Sequence, residues 1–242
     1  MCRVKLHLPT GTAYTDGYHL LTLPFKETKG LDELNLAFEE MKAFEYIQQE
    51  RYNEALEIYE KLQELKPDNF LMNLNVGHIQ LFKGNLEKAR NIFINVLERL
   101  EKEKADDMGY EHFRYILYNN IAWTNIVHFR ENLLEQADNY SRKALDSSPK
   151  FGVFLGTRGA VLIRKGNIKE GISLLKKALK YHSENSARSA EALFIGIGEA
   201  QLGNRREALE RLEQARNLHS SHHFFSIAEQ EIIEIINATN KK

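Results

Sequence analysis

A Gly-Asn pair occurs three times in this chain in the same local context, and it restricts the folds that the sequence can adopt. The pairs begin at Gly84, Gly166 and Gly203, and five positions after each glycine stands an alanine or another glycine. Glycine tolerates the left-handed backbone that ends a helix, and Asn can cap the helix that follows. Each pair therefore predicts a tight turn between two helices that pack closely.

The small residues after these turns recur at a nearly constant interval. The same second-helix pattern, without the glycine, occurs at residues 51–55 and 134–137. The separations are 34, 48, 34 and 37 positions along the series Ala55, Ala89, Ala137, Gly171 and Ala208. Most of the excess in the interval of 48 is expected in the charged residues 98–107, and a few more in the turn at 129–133. Five helix pairs are predicted.

Residues 36–220 resemble tetratricopeptide repeats, whose helix-turn-helix unit has about 34 residues. The resemblance implies an all-α, right-handed superhelical solenoid, because one helix pair cannot bury its apolar face and stacked pairs can. The expected repeats are about 36–69, 70–103, 112–150, 151–184 and 188–221. The matching residues, repeat by repeat, are Tyr46, Tyr52, Ala55, Tyr59 and Pro67, then Gly77, Gly84, Ala89 and Phe93, then Ala122, Ala137 and Pro149, then Gly159, Gly166, Leu175 and Ala178, and finally Gly196, Gly203, Ala208, Leu212 and Ala215.

The two ends of the chain differ from the repeats. Residues 222–238 place Phe, Ile and Ala among acidic residues with helical spacing, which predicts an amphipathic helix that caps a solenoid of residues 31–238. Homotypic association through this helix, with Phe225 and Ile232 as its contacts, is a second expectation. Residues 1–30 show no sustained period and are predicted to be irregular.

Charge and composition exclude several classes of protein. The 33 Lys and Arg residues face 34 Asp and Glu residues, so no cationic surplus would attract nucleic acid or anionic lipid. The lone Cys2 makes neither an internal disulfide nor a thiolate metal site, and no apolar run of about 18 residues occurs. We therefore expect a cytoplasmic protein with no membrane span, no cofactor and no metal. His219, His222 and His223 are expected to lie in a solvated turn.

Binding is the function that the sequence favours. No Gly-x-Ser-x-Gly, Gly-x-x-x-x-Gly-Lys or Gly-x-Gly-x-x-Gly motif occurs, so we expect no enzyme. The resemblance implies a concave groove lined by the first helix of each repeat, which holds a protein or peptide partner. An Asn side chain can both donate to and accept from a peptide backbone, and Trp offers a large apolar contact area. The alternative is that the Trp packs between repeats and the Asn residues are helix surface. The groove candidates are Asn75, His78, Asn119, Trp123 and Arg158.

A second, shorter resemblance lies in residues 8–23. A Leu-Pro segment followed by Asp16-Gly17 is similar to a region of site-2-type intramembrane metalloproteases, in which the Asp is a zinc ligand. The resemblance implies that Asp16 is that ligand, but no HExxH sequence is present to complete the site. Two interpretations stay open. The segment is the end of a protease whose cytoplasmic appendage is the repeats, or Asp16-Gly17 is an ordinary turn.

Overall fold

A computed structural model describes residues 3–8, 11–16, 31–67, 69–102, 108–127, 130–182, 184–218 and 223–239. These residues form one β-hairpin and a series of α-helices, with a short 3-10 turn at Glu131–Leu133. In chain order the elements are β1 (Arg3–Leu8), β2 (Gly11–Asp16), α1 (Leu31–Gln48), α2 (Tyr52–Leu65), α3 (Phe70–Phe82), α4 (Leu86–Lys102), α5 (Met108–Val127), α6 (Leu134–Ser147), α7 (Gly152–Arg164), α8 (Ile168–Ala178), α9 (Asn185–Gln201), α10 (Arg205–Leu218) and α11 (His223–Thr239).

The chain divides into two compact units. Residues 22–120 form the N-terminal unit, and residues 121–242, together with 1–21, form the C-terminal unit. In the N-terminal unit α1 packs on α2, α2 on α3, and α3 on α4. In the C-terminal unit α6, α7, α8 and α9 each pack on the next helix in the chain. Four of the predicted helix pairs are therefore seen in contact, α1 with α2, α3 with α4, α7 with α8 and α9 with α10, and the repeat bounds and the handedness of a superhelix stay predictions.

The three glycine turns have one geometry. Gly84, Gly166 and Gly203 have φ of 77°, 85° and 80°, in the left-handed region that favours glycine. In each turn the backbone N–H of the following Asn donates to the carbonyl oxygen five residues back, at 2.9 Å. This hydrogen bond satisfies a carbonyl that the end of the helix leaves without a partner. The predicted turns are confirmed.

The Asn side chains in these turns do not all act as expected. Asn167 precedes α8, but its side chain makes no capping hydrogen bond, so the prediction of a side-chain cap is wrong there. Asn204 Nδ2 donates to Glu199 Oε2 at 2.7 Å, and Asn85 Nδ2 donates in the same way to Gln80 Oε1 at 2.8 Å. These amides bind the helix before the turn, because the turn brings the residue five positions back within reach.

The first helix pair makes the same turn without glycine. Glu50 adopts φ of 58°, and the N–H of Arg51 donates to the carbonyl oxygen of Tyr46 at 2.8 Å. The left-handed backbone is unfavourable for a residue with a Cβ atom. Packing of α1 on α2 therefore holds Glu50 in a conformation that its own preference opposes.

Helix contact inside a pair depends on the small residues. A Cβ atom on Gly171 would lie 2.6 Å from the carbonyl oxygen of Gly159, so α7 and α8 touch through their backbones. A Cβ on Gly77 would lie 2.4 Å from Cε1 of Phe93, which is fully buried. The fourth repeat has glycine where the resemblance implies alanine, and this glycine lies where the backbones of α7 and α8 touch.

The N-terminal segment contains regular structure. Strands β1 and β2 are antiparallel, with Arg3 opposite Asp16 and Leu8 opposite Gly11. The prediction of an irregular segment is therefore wrong for these two strands. Residues 4–8 alternate apolar and polar side chains, which is the strand period of two. Five residues are too few for this period to predict a strand by itself.

The last helix packs mainly on α9 and also contacts α10. Its apolar side chains are largely buried, and Phe225 and Ile232 are only 6% and 0% exposed. The two residues expected to mediate homotypic association are therefore buried within their own chain. A second copy could reach them only after α11 had left α9.

Candidate binding surface

Asn75 lies on α3 in the N-terminal unit and is held by the helix before it. Its side-chain Nδ2 donates to the hydroxyl of Tyr59 at 3.0 Å. Burial raises the pKa of the Tyr59 phenol, and the negative charge of Glu40 raises it further, while the hydrogen bond from Asn75 lowers it. The phenol stays neutral at physiological pH, so Asn75 faces a neutral hydroxyl and keeps its own carbonyl oxygen for another donor.

His78 follows on α3, one turn after Asn75, and it bridges to α5. The ring Nε2 of His78 lies 2.8 Å from Nδ2 of Asn120, and the amide can only donate. In this contact the Asn120 amide donates and Nε2 of His78 accepts. Asn119 is 4% exposed, and among the described residues its Oδ1 has no hydrogen-bond partner. The N-terminal unit thus brings three predicted candidates to α3 and the adjoining part of α5.

Arg158 lies on α7, and its guanidinium is turned toward α6. Nη1 donates to Asp138 Oδ1 at 2.5 Å, to the Asp138 carbonyl at 3.2 Å and to Ser141 Oγ at 3.1 Å. Burial raises the pKa of Asp138, but hydrogen bonds and charges from Arg158 and Lys165 outweigh it and lower the pKa. Arg158 is therefore engaged in an ion pair that joins α6 to α7.

Trp123 lies in the C-terminal unit, in the last part of α5, and joins an aromatic cluster. Its ring centroid is 5.5 Å from that of Phe194 on α9 and 5.9 Å from that of Phe224 on α11, both edge to face. Phe194 and Phe224 stack at 5.0 Å with an angle of 21°. Offset stacks and edge contacts at these distances are favourable beyond the area that they bury. Helix α11 thus reaches the first helix of the third repeat.

Arg164, at the end of α7, makes the second long-range contact of α11. Both of its terminal nitrogens bind the carboxylate of Glu231, Nη1 to Oε1 and Nη2 to Oε2, the latter at 2.9 Å. The Arg164 side chain is 4% exposed, and its Cζ lies 5.4 Å from the ring centroid of Phe194. Helix α11 therefore lies against side chains of α5, α7 and α9, which are the first helices of three successive repeats.

The sequence analysis missed Phe194 and Arg164. Phe194 lies in residues 191–200, all of which are buried, and a helix that is apolar on nearly every side signals burial on all sides. This pattern could have indicated that Phe194 is buried. No local pattern indicates the ion pair of Arg164, because its partner Glu231 lies 67 residues further along the chain.

A second buried polar pair lies between α9 and the end of the fourth repeat. His182 Nε2 is 3.2 Å from Glu191 Oε1, and Glu191 Oε2 has no hydrogen-bond partner among the described residues. Burial raises the pKa of Glu191 to about 8, although Arg188 lowers it. Burial also lowers the pKa of His182, against a backbone hydrogen bond with Gly152. Burial therefore shifts both groups toward their neutral forms.

The remaining candidates concern metals and membranes. Asp16 ends β2, Gly17 lies outside the described residues, and so do His219 and His222. Where the structure is described, no three His, Cys, Asp or Glu side chains converge as metal ligands would. None of the described helices is both long and apolar enough to cross a bilayer.

Comparison with known proteins identifies the architecture. Residues 46–107 match the family model of the tetratricopeptide repeat. A thermophilic TPR protein of Thermus thermophilus, TTC0263, superimposes with a TM-score of 0.55 at 17% identity, over 83% of this chain and 98% of its own. This is a tetratricopeptide repeat fold. The Cut9-Hcn1 hetero-tetramer of APC/C superimposes with a TM-score of 0.62 at 14% identity, over 85% of this chain and 37% of the matched one. The predicted all-α fold of the tetratricopeptide repeat type is thereby confirmed.

Proposed function

We propose that this chain is a non-enzymatic scaffold that binds a protein or peptide partner on the faces of its first helices. The observation that carries the proposal is the position of α11. This helix lies on side chains from α5, α7 and α9, through Trp123, Arg164 and Phe194. First helices of the repeats therefore offer a surface that accepts a helix, and tetratricopeptide repeat solenoids use such surfaces for binding.

The chemistry of the first helices suits a peptide better than a small substrate. In the N-terminal unit, Asn75 and His78 are partly buried and lie one turn apart on α3, and Asn119 follows on α5. Amide groups can accept from and donate to a peptide backbone. In the C-terminal unit Trp123 is covered by α9 and α11, and Arg158 is engaged with α6. We therefore assign the binding role to Asn75, His78 and Asn119, and a structural role to Trp123 and Arg158.

A peptide-display selection tests this proposal. A library of random peptides is selected against the full chain, and enriched peptides are measured by fluorescence anisotropy. We expect binding that weakens about tenfold or more in His78→Ala or Asn75→Ala, the range of a buried hydrogen-bonding contact. Lys88→Ala is the matched control, because Lys88 is exposed on the second helix α4 and should leave affinity unchanged.

Circular dichroism at 222 nm confirms that each variant is folded. A selection that enriches no peptide would count against the scaffold. Peptides whose affinity falls with Lys88→Ala but not with the first-helix variants would place binding elsewhere, and they would refute the role of this surface.

A further inference from the structure

Glu40 is an acidic residue on the packed side of α1. Leu36 and Ala43, four positions before Glu40 and three after it, both pack on the core of the N-terminal unit. Residues with this spacing share one face of a helix, and Glu40 is partly buried there, whereas its neighbour Glu39 is exposed. Tyr59 of α2 belongs to the same core. The carboxylate of Glu40 is therefore directed toward α2.

The structure gives this carboxylate little compensation. Among the described residues, Glu40 makes no hydrogen bond and no ion pair. Burial raises the pKa of Glu40, and the charge of Lys66, an exposed residue just after α2, lowers it by less. Partial burial of a charge without hydrogen bonds is unfavourable. The binding of a positive group against Glu40 is therefore favourable.

The polar groups beside Glu40 offer oxygen atoms as hydrogen-bond acceptors. The charge of Glu40 acts on the hydroxyl of Tyr59, which accepts from Nδ2 of Asn75 at 3.0 Å. Oδ1 of Asn75 makes no hydrogen bond with any described residue. On α5, the buried Oδ1 of Asn119 likewise has no partner in the described part of the chain. This surface therefore combines one negative charge with carbonyl oxygens that require donors.

This combination selects the chemistry of the ligand. A lysine ammonium carries one positive charge and three N–H donors, and it has no acceptor. An acidic group would be repelled by Glu40, and an apolar group would bury the carboxylate further without pairing it. Arginine holds its donors in a planar fork, whereas an ammonium rotates to reach oxygens on separate helices, which here are α1 and α3.

We propose that Glu40 and Asn75 form a subsite for the ammonium group of a lysine side chain in the bound peptide, and that Tyr59 holds the Asn75 amide in position. This inference rests on the proposed scaffold function and adds the charge of the partner. The Glu40 carboxylate and the Asn75 carbonyl oxygen accept from the ammonium. The rest of the peptide continues along α3 and α5, past His78 and Asn119.

Removing the charge from each side of the contact tests this subsite. Peptides enriched by display selection on the wild-type chain are synthesised with an acetylated N-terminus, which removes the terminal amine as a source of charge. Each is made with lysine and with uncharged Nε-acetyl-lysine, and both forms carry fluorescein at the C-terminus. Fluorescence anisotropy measures both forms on the wild-type chain, on Glu40→Gln and on the matched control Glu39→Gln, which changes the adjacent exposed carboxylate.

Acetylation of the lysine should weaken binding to the wild-type chain and to Glu39→Gln about tenfold or more, the range of a charged hydrogen-bonding contact. On Glu40→Gln the two forms should bind within about twofold of each other, because the charge that distinguishes them no longer has an opposite charge to pair with. A loss on acetylation that is equal for Glu40→Gln and the wild type would overturn the subsite. Enriched peptides without a basic residue would also overturn it.

The melting temperature of the free chain is a second readout. Glu40→Gln removes an unpaired charge, so its melting temperature, followed by circular dichroism at 222 nm, should equal or exceed that of the wild type. A fall of more than about 3 °C would show that the carboxylate is a structural contact, and would overturn the proposal.

Failure of the scaffold function gives a different result. A selection that enriches no peptide would end both proposals. Peptides that need Asn75 and His78 but bind equally well with lysine and acetyl-lysine would refute the subsite and leave the scaffold function standing.

Discussion

Replacing Gly171 by alanine tests the closest helix contact in the C-terminal unit. The resemblance to the repeat family implies alanine at this position, and alanine is the better helix former, so sequence reasoning expects the substitution to stabilise the protein. The structure predicts the opposite. The new Cβ would lie 2.6 Å from the carbonyl oxygen of Gly159, 2.7 Å from Cγ1 of Ile163 and 3.0 Å from its backbone nitrogen.

The two effects can be compared in magnitude. Alanine gains about 1 kcal/mol over glycine inside a helix. Overpacking a tight contact costs about 1–3 kcal/mol, and the high end applies because two of the three opposing atoms belong to the backbone of α7 and cannot rotate away. The expected net loss is about 1–2 kcal/mol, which lowers the melting temperature of a chain of this size by roughly 3–6 °C.

Urea unfolding measures this loss with two signals. Circular dichroism at 222 nm follows all the helices, and the fluorescence of Trp123, the single tryptophan, follows the C-terminal unit. Two controls accompany Gly171→Ala. Ser173→Ala changes an exposed site on the same helix and should be neutral or slightly stabilising. Gly166→Ala adds a Cβ atom that would have no other atom within 4 Å. Its expected loss of about 1 kcal/mol in stability therefore reflects the left-handed backbone alone.

The reasoning has a clear point of failure. If Gly171→Ala unfolds at the same urea concentration as the wild type, or at a higher one, then α7 and α8 do not touch through their backbones. If Gly166→Ala lowers the urea midpoint in both signals and Gly171→Ala does not, then glycine is needed in this chain for its backbone conformation and not for helix contact.

Three further predictions concern single side chains. Glu50→Gly should stabilise the protein by about 0.5–1 kcal/mol and raise the midpoint of thermal unfolding, because a φ of 58° is unfavourable for a residue with a Cβ atom. An unchanged midpoint would contradict this. Arg158→Met should lose about 1–3 kcal/mol and Arg142→Met less than about 1 kcal/mol in urea unfolding, since the side chain of Arg158 is only 15% exposed and that of Arg142 is 57% exposed, and equal losses would refute the distinction. Burial raises the pKa of Glu191 from 4.5 in the unfolded chain to about 8 in the folded chain. Between these two pH values the folded chain holds a proton that the unfolded chain has lost, so stability falls as the pH rises from about 4.5 to about 8. Between pH 7 and 8.5, Glu191→Gln should flatten the fall in the unfolding free energy, and a slope equal to that of the wild type would show that this carboxyl does not cause it.

The repeats could be predicted because their signals are local. A glycine with positive φ, a small residue five positions later and a large residue one turn beyond lie within a single helix pair. Each of these residues contacts neighbours within its own helix pair, so the local sequence is enough to predict its role. The strands of the N-terminal hairpin were missed because each has only six residues, too few for a period to stand out.

The candidate surface could be predicted only in part. Trp123 was selected as a groove candidate, and its ring packs on Phe194 and Phe224, as the alternative of packing between repeats expected. Arg158 and Arg164 both lie on α7, and helical spacing selected Arg158 as a groove candidate while it gave no signal for Arg164. Only the side-chain contacts show that Arg158 pairs with Asp138 on α6 while Arg164 pairs with Glu231 on α11.

The sequence by itself determined the helix pairs, their period and the turns between them, because these depend on backbone preferences and contacts over short separations. The tertiary structure alone decided where α11 lies. An amphipathic helix can bury its apolar face against any apolar surface, and its own sequence does not say which one. The choice of α9, with Trp123 and Arg164 beside it, follows from side chains up to about a hundred residues apart that meet only in the folded chain.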